Sequence, residues 1–137
     1  MKKVFNPQKT LSFLLWLIAV HSFFAGISII SLPENIFKLL GLNICTGDFF
    51  RYQGGVFHIV MSVAYAGAAF NLNTNRNFAV LCIITKFSAA IFLFLFYFLI
   101  SKIWIVIFSG IGDLLMGSLV LILLIKFDNY KSLNSPV

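Results

Sequence analysis

Each long apolar stretch of this sequence carries one ionisable side chain: His21, His58, Lys86 and Asp113. A histidine in such a place can bind a ligand or pass a proton. A lysine and an aspartate can neutralise each other, or one of them can exchange a proton. Arg51 and Tyr65 stand seven residues before and after His58, two helical turns away on the same face. With Gly54 and Ser62 at four residues on either side of His58, they give one segment a polar stripe. Ser109, Asp113 and Gly117 make a matching stripe further on. Gly54, Gly55 and Gly117 are small enough to let helices approach closely. Ionisable residues surrounded by apolar sequence are costly and default to a functional role. Two readings stand open: a ligand or proton site, or a polar layer that only sets helix packing and register.

The elements that must position these residues follow from composition. The chain has 137 residues, of which 61% are hydrophobic and 10% charged, and its mean hydropathy is +1.01. Soluble domains are about 25% charged, so this chain has too few polar residues to cover a water-facing surface. Four stretches reach the roughly 20 apolar residues needed to cross a bilayer: about 11–32, 49–70, 78–100 and 104–125. They are continuous rather than alternating, which favours helices over a barrel. The expectation is all-α: one transmembrane domain over residues 1–137, built as a four-helix bundle. The first stretch is longer than a signal-peptide core and no A-x-A site follows it, so it is read as a retained span.

The connectors differ in kind. In the first, Ile36, Phe37, Leu39 and Leu40 share a face apart from Glu34 and Lys38, which predicts a short interfacial amphipathic helix stopped near Gly41. Residues 71–77 read as an Asn-rich polar turn. Only residues 101–103 separate the last two spans, which therefore form a tight antiparallel hairpin. At about 1.5 Å of rise per residue, the four ionisable residues lie about 12–15 Å from the ends of their spans, near the midplane of a hydrocarbon about 30 Å thick. Lys86 and Asp113 then sit at similar depth on adjacent helices, and pairing relieves the desolvation each would suffer alone.

The formal charge of +6 is concentrated at span ends, where it orients the chain rather than binding nucleic acid. Lys2, Lys3, Lys9, Arg76, Lys126 and Lys131 share the side of the termini, against Lys38, Lys102 and the membrane-edge Arg51 on the other. The positive-inside rule puts both termini in the cytoplasm. Cys45 and Cys82 form no C-x-x-C and signal neither zinc nor redox chemistry. The sequence has no G-x-S-x-G, H-E-x-x-H or P-loop, so hydrolase and nucleotide chemistry are unsupported.

The segment F-F-R-Y-Q-G-G-V-F-H-I-V-M-S-V-A-Y-A-G-A-A-F-N at residues 49–71 resembles the DoxX-like superfamily of small four-span bacterial membrane proteins. The preceding P-E-N-I-F-K-L-L-G-L also fits, as do Lys86 in the third span and Asp113 in the fourth. The positions that match are Arg51, Gly54, Gly55, Lys86 and Asp113; His21 and His58 stand outside the likeness. The resemblance implies a four-helix bundle in a bacterial inner membrane and no particular reaction. Some relatives accompany membrane redox enzymes as subunits.

Three functions compete on these residues. One is a non-enzymatic binding or accessory subunit, as a homo-oligomer or with another membrane subunit. Its polar layer of Arg51, His58, Lys86 and Asp113, with His21 and Tyr65, would hold a small apolar or quinone-like ligand. The second is a small proton-coupled transporter using Asp113. The third is a bis-His haem protein with His21 and His58 as axial ligands. The first is the expectation, with no cofactor and no metal.

Overall fold

The structure, a computed structural model, describes residues 6–42 and 48–134. Lys2, Lys3 and Cys45, which entered the sequence reading, lie outside the described residues. Five helices follow one another: α1 (Pro7–Ser31), α2 (Glu34–Leu39), α3 (Asp48–Phe70), α4 (Arg76–Leu99) and α5 (Trp104–Asn134). No strand occurs among the described residues. All but α2 are long and apolar enough to cross a membrane. The protein is an all-α, multi-pass membrane bundle.

Two span boundaries differ from the sequence expectation. The first span begins at Pro7 rather than 11, because Asn6 caps it: its side chain accepts from the Lys9 N–H at 3.2 Å, and Pro7 needs no partner in the first turn. The last helix continues past 125 to Asn134. Its 31 residues span about 46 Å, more than the roughly 30 Å of hydrocarbon, so its end stands outside the apolar layer. There Asp128 receives a two-point bond from Arg76, at 3.0 and 2.7 Å. The pair fastens the start of α4 to α5 and offsets the cation at the positive end of α4.

The connectors form as their chemistry demands. Gly41, at φ 82°, ends the α2 segment in the left-handed region that glycine accepts without strain. Only Phe37 of the four apolar residues there is buried; Leu39 is exposed. In the Asn-rich turn, Asn71 Oδ1 accepts from the Thr74 N–H at 3.3 Å, and the Asn75 side chain donates to the Gly67 carbonyl at 2.8 Å. Between α4 and α5 the Ile100 and Ser101 N–H groups both return to the Phe96 carbonyl, which closes the tight hairpin.

The four long helices make a ring in which α1 packs most extensively on α3 and α4 on α5, while α1–α5 and α3–α4 contacts complete the circuit. The α1–α3 crossing is the closest. A methyl on Gly26 would stand 2.6 Å from the Gly55 carbonyl oxygen and 2.8 Å from Ile59 Cγ1. Ser12 adds a hydrogen bond to the Ala69 carbonyl across the same pair. In α4–α5, Gly110 lies under Phe94 and Gly117 against the Lys86 stem. Gly55 and Gly117 are therefore packing positions, as expected. Gly54 is not: nothing lies within 4 Å of where its Cβ would be, because it faces an opening rather than a neighbour.

Apart from Phe37, Ala90 and Val106, the buried apolar side chains form one cluster toward one end. Its members are Leu11, Leu15, Ile18 and Ala19 of α1; Met61, Tyr65, Ala68 and Ala69 of α3 with Leu72; Ala79 and Cys82 of α4; and Val120, Leu124 and Phe127 of α5. All belong to the half of each helix nearest the termini. Followed onward at three- and four-residue spacing, the same faces lose their cover. On α3 the run Leu72, Ala68, Tyr65, Met61 is buried, but His58 and Gly54, which continue it, are half-exposed. On α5, Phe127, Leu124, Val120 and Gly117 give way to partly buried Asp113 and exposed Ser109. On α1, Leu15, Ile18 and Ser22 give way to half-exposed Ala25 and Ile29. The two helix pairs thus share a buried cluster on the terminal side, while toward the loop side close packing is seen within each pair, Gly26 against Gly55 and Gly110 under Phe94.

Candidate functional site

The polar residues gather where the buried cluster stops. Lys86 is 4% exposed, and its Nζ donates to Asp113 Oδ1 at 2.6 Å. The partners are on α4 and α5, held at one level by the short hairpin. Gly117 lets α5 approach so closely that a methyl there would lie 3.2 Å from Lys86 Cβ. The expected ion pair is therefore formed, and in hydrocarbon it stabilises what two lone charges could not.

Tyr65 of α3 reaches the same level. Its hydroxyl lies 2.8 Å from Thr85 Oγ1, and Thr85 returns its own proton to the carbonyls of Leu81 at 2.9 Å and Cys82 at 3.1 Å. Thr85 thus acts as acceptor and Tyr65 as donor. The Tyr65 ring also lies 5.9 Å from Lys86 Nζ, where a cation is attracted to the ring face. Thr85 was not picked out from the sequence, although a hydroxyl beside a span lysine was a usable signal.

His58 of α3 stands one turn beyond Met61 and Ser62. Lys86, Asp113 and His21 all lie within electrostatic reach of its ring. Among the described residues, no group hydrogen-bonds it; its one ring contact is Phe57 at 6.4 Å. The ring lines an open cavity of about 350 Å³ with Ile29, Phe50, Gln53, Gly54 and Phe57. This is the space that Gly54 faces. Gln53, at the rim, was also missed in the sequence, where it reads as an ordinary polar residue near a span end.

His21 of α1 is exposed, whereas Lys86 is buried and His58 and Asp113 are partly buried. Arg51 does not join the layer either. Its guanidinium donates to the carbonyls of Ile29 at 2.7 Å, Ile30 at 2.8 Å and Leu32. These are acceptors that the C-terminus of α1 leaves unpaired. The ring of Phe37 lies 4.8 Å from Arg51 Cζ. Arg51 therefore caps α1 and fastens α2 to the α1–α3 pair. Hydrogen bonds to charged groups are worth about 1.5–3 kcal/mol each at a protected site. Arg51→Met should loosen this end of the bundle, lowering the melting temperature and admitting protease in the α2 connector. Arg51→Lys, a single point donor, should recover only part of the loss.

Among the described residues, no three His, Cys, Asp or Glu side chains converge as a metal would need. No family model, no curated protein and no solved structure matches this chain. The chemistry of the site therefore rests on its own residues: a neutralised ion pair, a hydroxyl pair and an unpartnered imidazole at the foot of an apolar opening.

Proposed function

We propose that this protein is a non-enzymatic membrane protein that holds a small molecule in the cavity beside α1 and α3, alone or as an accessory subunit of a larger membrane complex. The observation that carries the reading is His58. An imidazole without a hydrogen-bond partner, facing an open apolar cavity near the bilayer midplane, bears a cost that a bound molecule removes. A layer that served packing alone would close over its polar groups, as Tyr65 and Thr85 do. Mass spectrometry of the intact protein, released from mild detergent, tests this. Wild type should carry a small molecule, and Gly54→Trp, whose Cβ meets nothing within 4 Å and whose indole occupies the cavity, should carry at least about tenfold less, equivalent to about 1.4 kcal/mol. A wild-type protein with nothing bound, in every lipid tried, would remove the reading.

Haem ranks below this. His21 and His58 lie five and three residues from Gly26 and Gly55, where α1 and α3 touch backbone to backbone, which argues against a macrocycle held between the two helices. A proton-coupled carrier would use the same Asp113, and its test is given in the Discussion. The DoxX-like likeness is compatible with the proposal and adds no reaction to it.

The proposal also sets orientation. Lys9, Arg76, Lys126 and Lys131 are on the terminal side, with Lys38 and Lys102 on the loop side. Both termini then face the cytoplasm of a bacterial inner membrane. Reporters fused after Val137 and within residues 71–75 should both report cytoplasm, and one fused within residues 40–47 the opposite side. A C-terminus found outside would reverse the assignment.

A further inference from the structure

We infer that the protein pairs with a second copy of itself in the membrane through α1, with the His21 imidazole of each copy bonded to its counterpart in the other. The inference is independent of what the cavity beside His58 holds.

The bundle leaves His21 uncovered. It is exposed and stands ten residues before Ser31, where α1 ends, which is about 15 Å into the hydrocarbon. Its neighbours on that face, Leu17 and Phe24, are 50% and 62% exposed. Ser28, two turns on, is exposed as well. The face therefore looks toward lipid. The ring is within electrostatic reach of His58, yet among the described residues no hydrogen bond reaches it. It lines neither the His58 cavity nor the apolar groove of Trp16, Phe23 and Val63, so a molecule held in either leaves it bare.

An imidazole has no escape from such a position. It is too short to reach the interface as a lysine or arginine stem does, and the carbonyls of its own helix are already engaged one turn along. Hydrocarbon supplies neither donor nor acceptor. The ring nitrogens therefore need a partner from another chain. A neutral imidazole carries one N–H donor and one bare nitrogen acceptor, which makes it complementary to itself. A two-fold axis along the membrane normal sets each residue of one copy against the same residue of the other. One N–H then donates to the facing nitrogen across the roughly 8–10 Å that separates packed helix axes. The Ser28 hydroxyl, which both donates and accepts, repeats the arrangement on the same face. Any other chain would have to supply a matching group at this depth and orientation; a second copy always does.

A photoreactive p-benzoylphenylalanine at Leu17 or at Phe24 of the full chain tests this in intact membranes. Irradiation should give a cross-linked product of about twice 15.4 kDa. The same group at Ile122, 49% exposed on α5, should give little of it. His21→Leu should cut the Phe24 product about fivefold or more, the order of effect of an interhelical polar contact in a bilayer, while still eluting as a folded protein. His21→Asn, whose amide both donates and accepts, should keep most of the product. A product of another mass would give the face to a different protein, and cross-links to lipid alone would leave it unpaired; either overturns the inference. So would equal product from Ile122, or His21→Leu pairing as well as wild type.

Discussion

Asp113→Asn alone, or Lys86→Met alone, lowers the yield of folded protein in detergent by an order of magnitude or more, and the two substitutions together restore most of it. The pair is joined at 2.6 Å, with side chains 5% and 14% exposed. A charge left alone at the centre of a span costs about 2.5–3.5 kcal/mol on insertion scales. Breaking a buried pair in general costs about 3–5 kcal/mol. Since about 1.4 kcal/mol is tenfold in an equilibrium, the single variants lose the margin on which most folds live. The double variant leaves no charge to strand. The coupling in a double-mutant cycle, read from elution profiles and thermal midpoints, should therefore be large and positive. Single effects that merely add would mean the residues do not pair in the membrane. The same cycle separates function from structure. Should a transport activity be found, a double variant that folds but no longer transports assigns the pair to the chemistry, and the proton-carrier reading replaces the binding one.

Two adjacent glycines should behave in opposite ways. Gly55→Ala places a methyl against Ile30 Cγ1 and 2.9 Å from the Gly26 carbonyl oxygen; Gly26→Ala meets the Gly55 carbonyl oxygen at 2.6 Å. Backbone cannot swing aside as a side chain can, so the helices must separate along the tightest interface of the bundle. Overpacking of this kind costs about 1–3 kcal/mol, and leucine in place of alanine should prevent assembly of the pair. Gly54→Ala meets nothing within 4 Å and gains up to about 1 kcal/mol of helix propensity. Thermal melts in one detergent should place Gly55→Ala and Gly26→Ala below wild type and Gly54→Ala at or above it. Equal tolerance of all three would mean that α1 and α3 do not cross at these glycines.

The architecture was legible because lipid imposes it locally. A run of apolar residues without polar cover must be a spanning helix, and a three-residue link leaves α4 and α5 no choice but to be antiparallel neighbours. The Lys86–Asp113 pair followed from the same two facts: equal depth, and one acid available inside a span. The short helix ending at Gly41 was likewise written in its own spacing.

What lay beyond the sequence was which side of each helix meets which neighbour. Helical spacing put Arg51, His58 and Tyr65 on one stripe, but a stripe has no partner until the bundle closes. The ring order gives Arg51 the open carbonyls of α1, Tyr65 the hydroxyl of Thr85 and His58 an empty space. Gly54 and Gly55 are neighbours of the same type, and only the crossing with Gly26 makes one a contact and the other an opening. The largest buried cluster occupies the terminal half of the bundle, which depends on how the helices pack rather than on any residue within one. The sequence by itself determined the spans, their depth and the charge pair, since each depends on the bilayer and on near neighbours along the chain. The tertiary structure alone decided that His58 borders a cavity, since that depends on how α1 and α3 lie against each other.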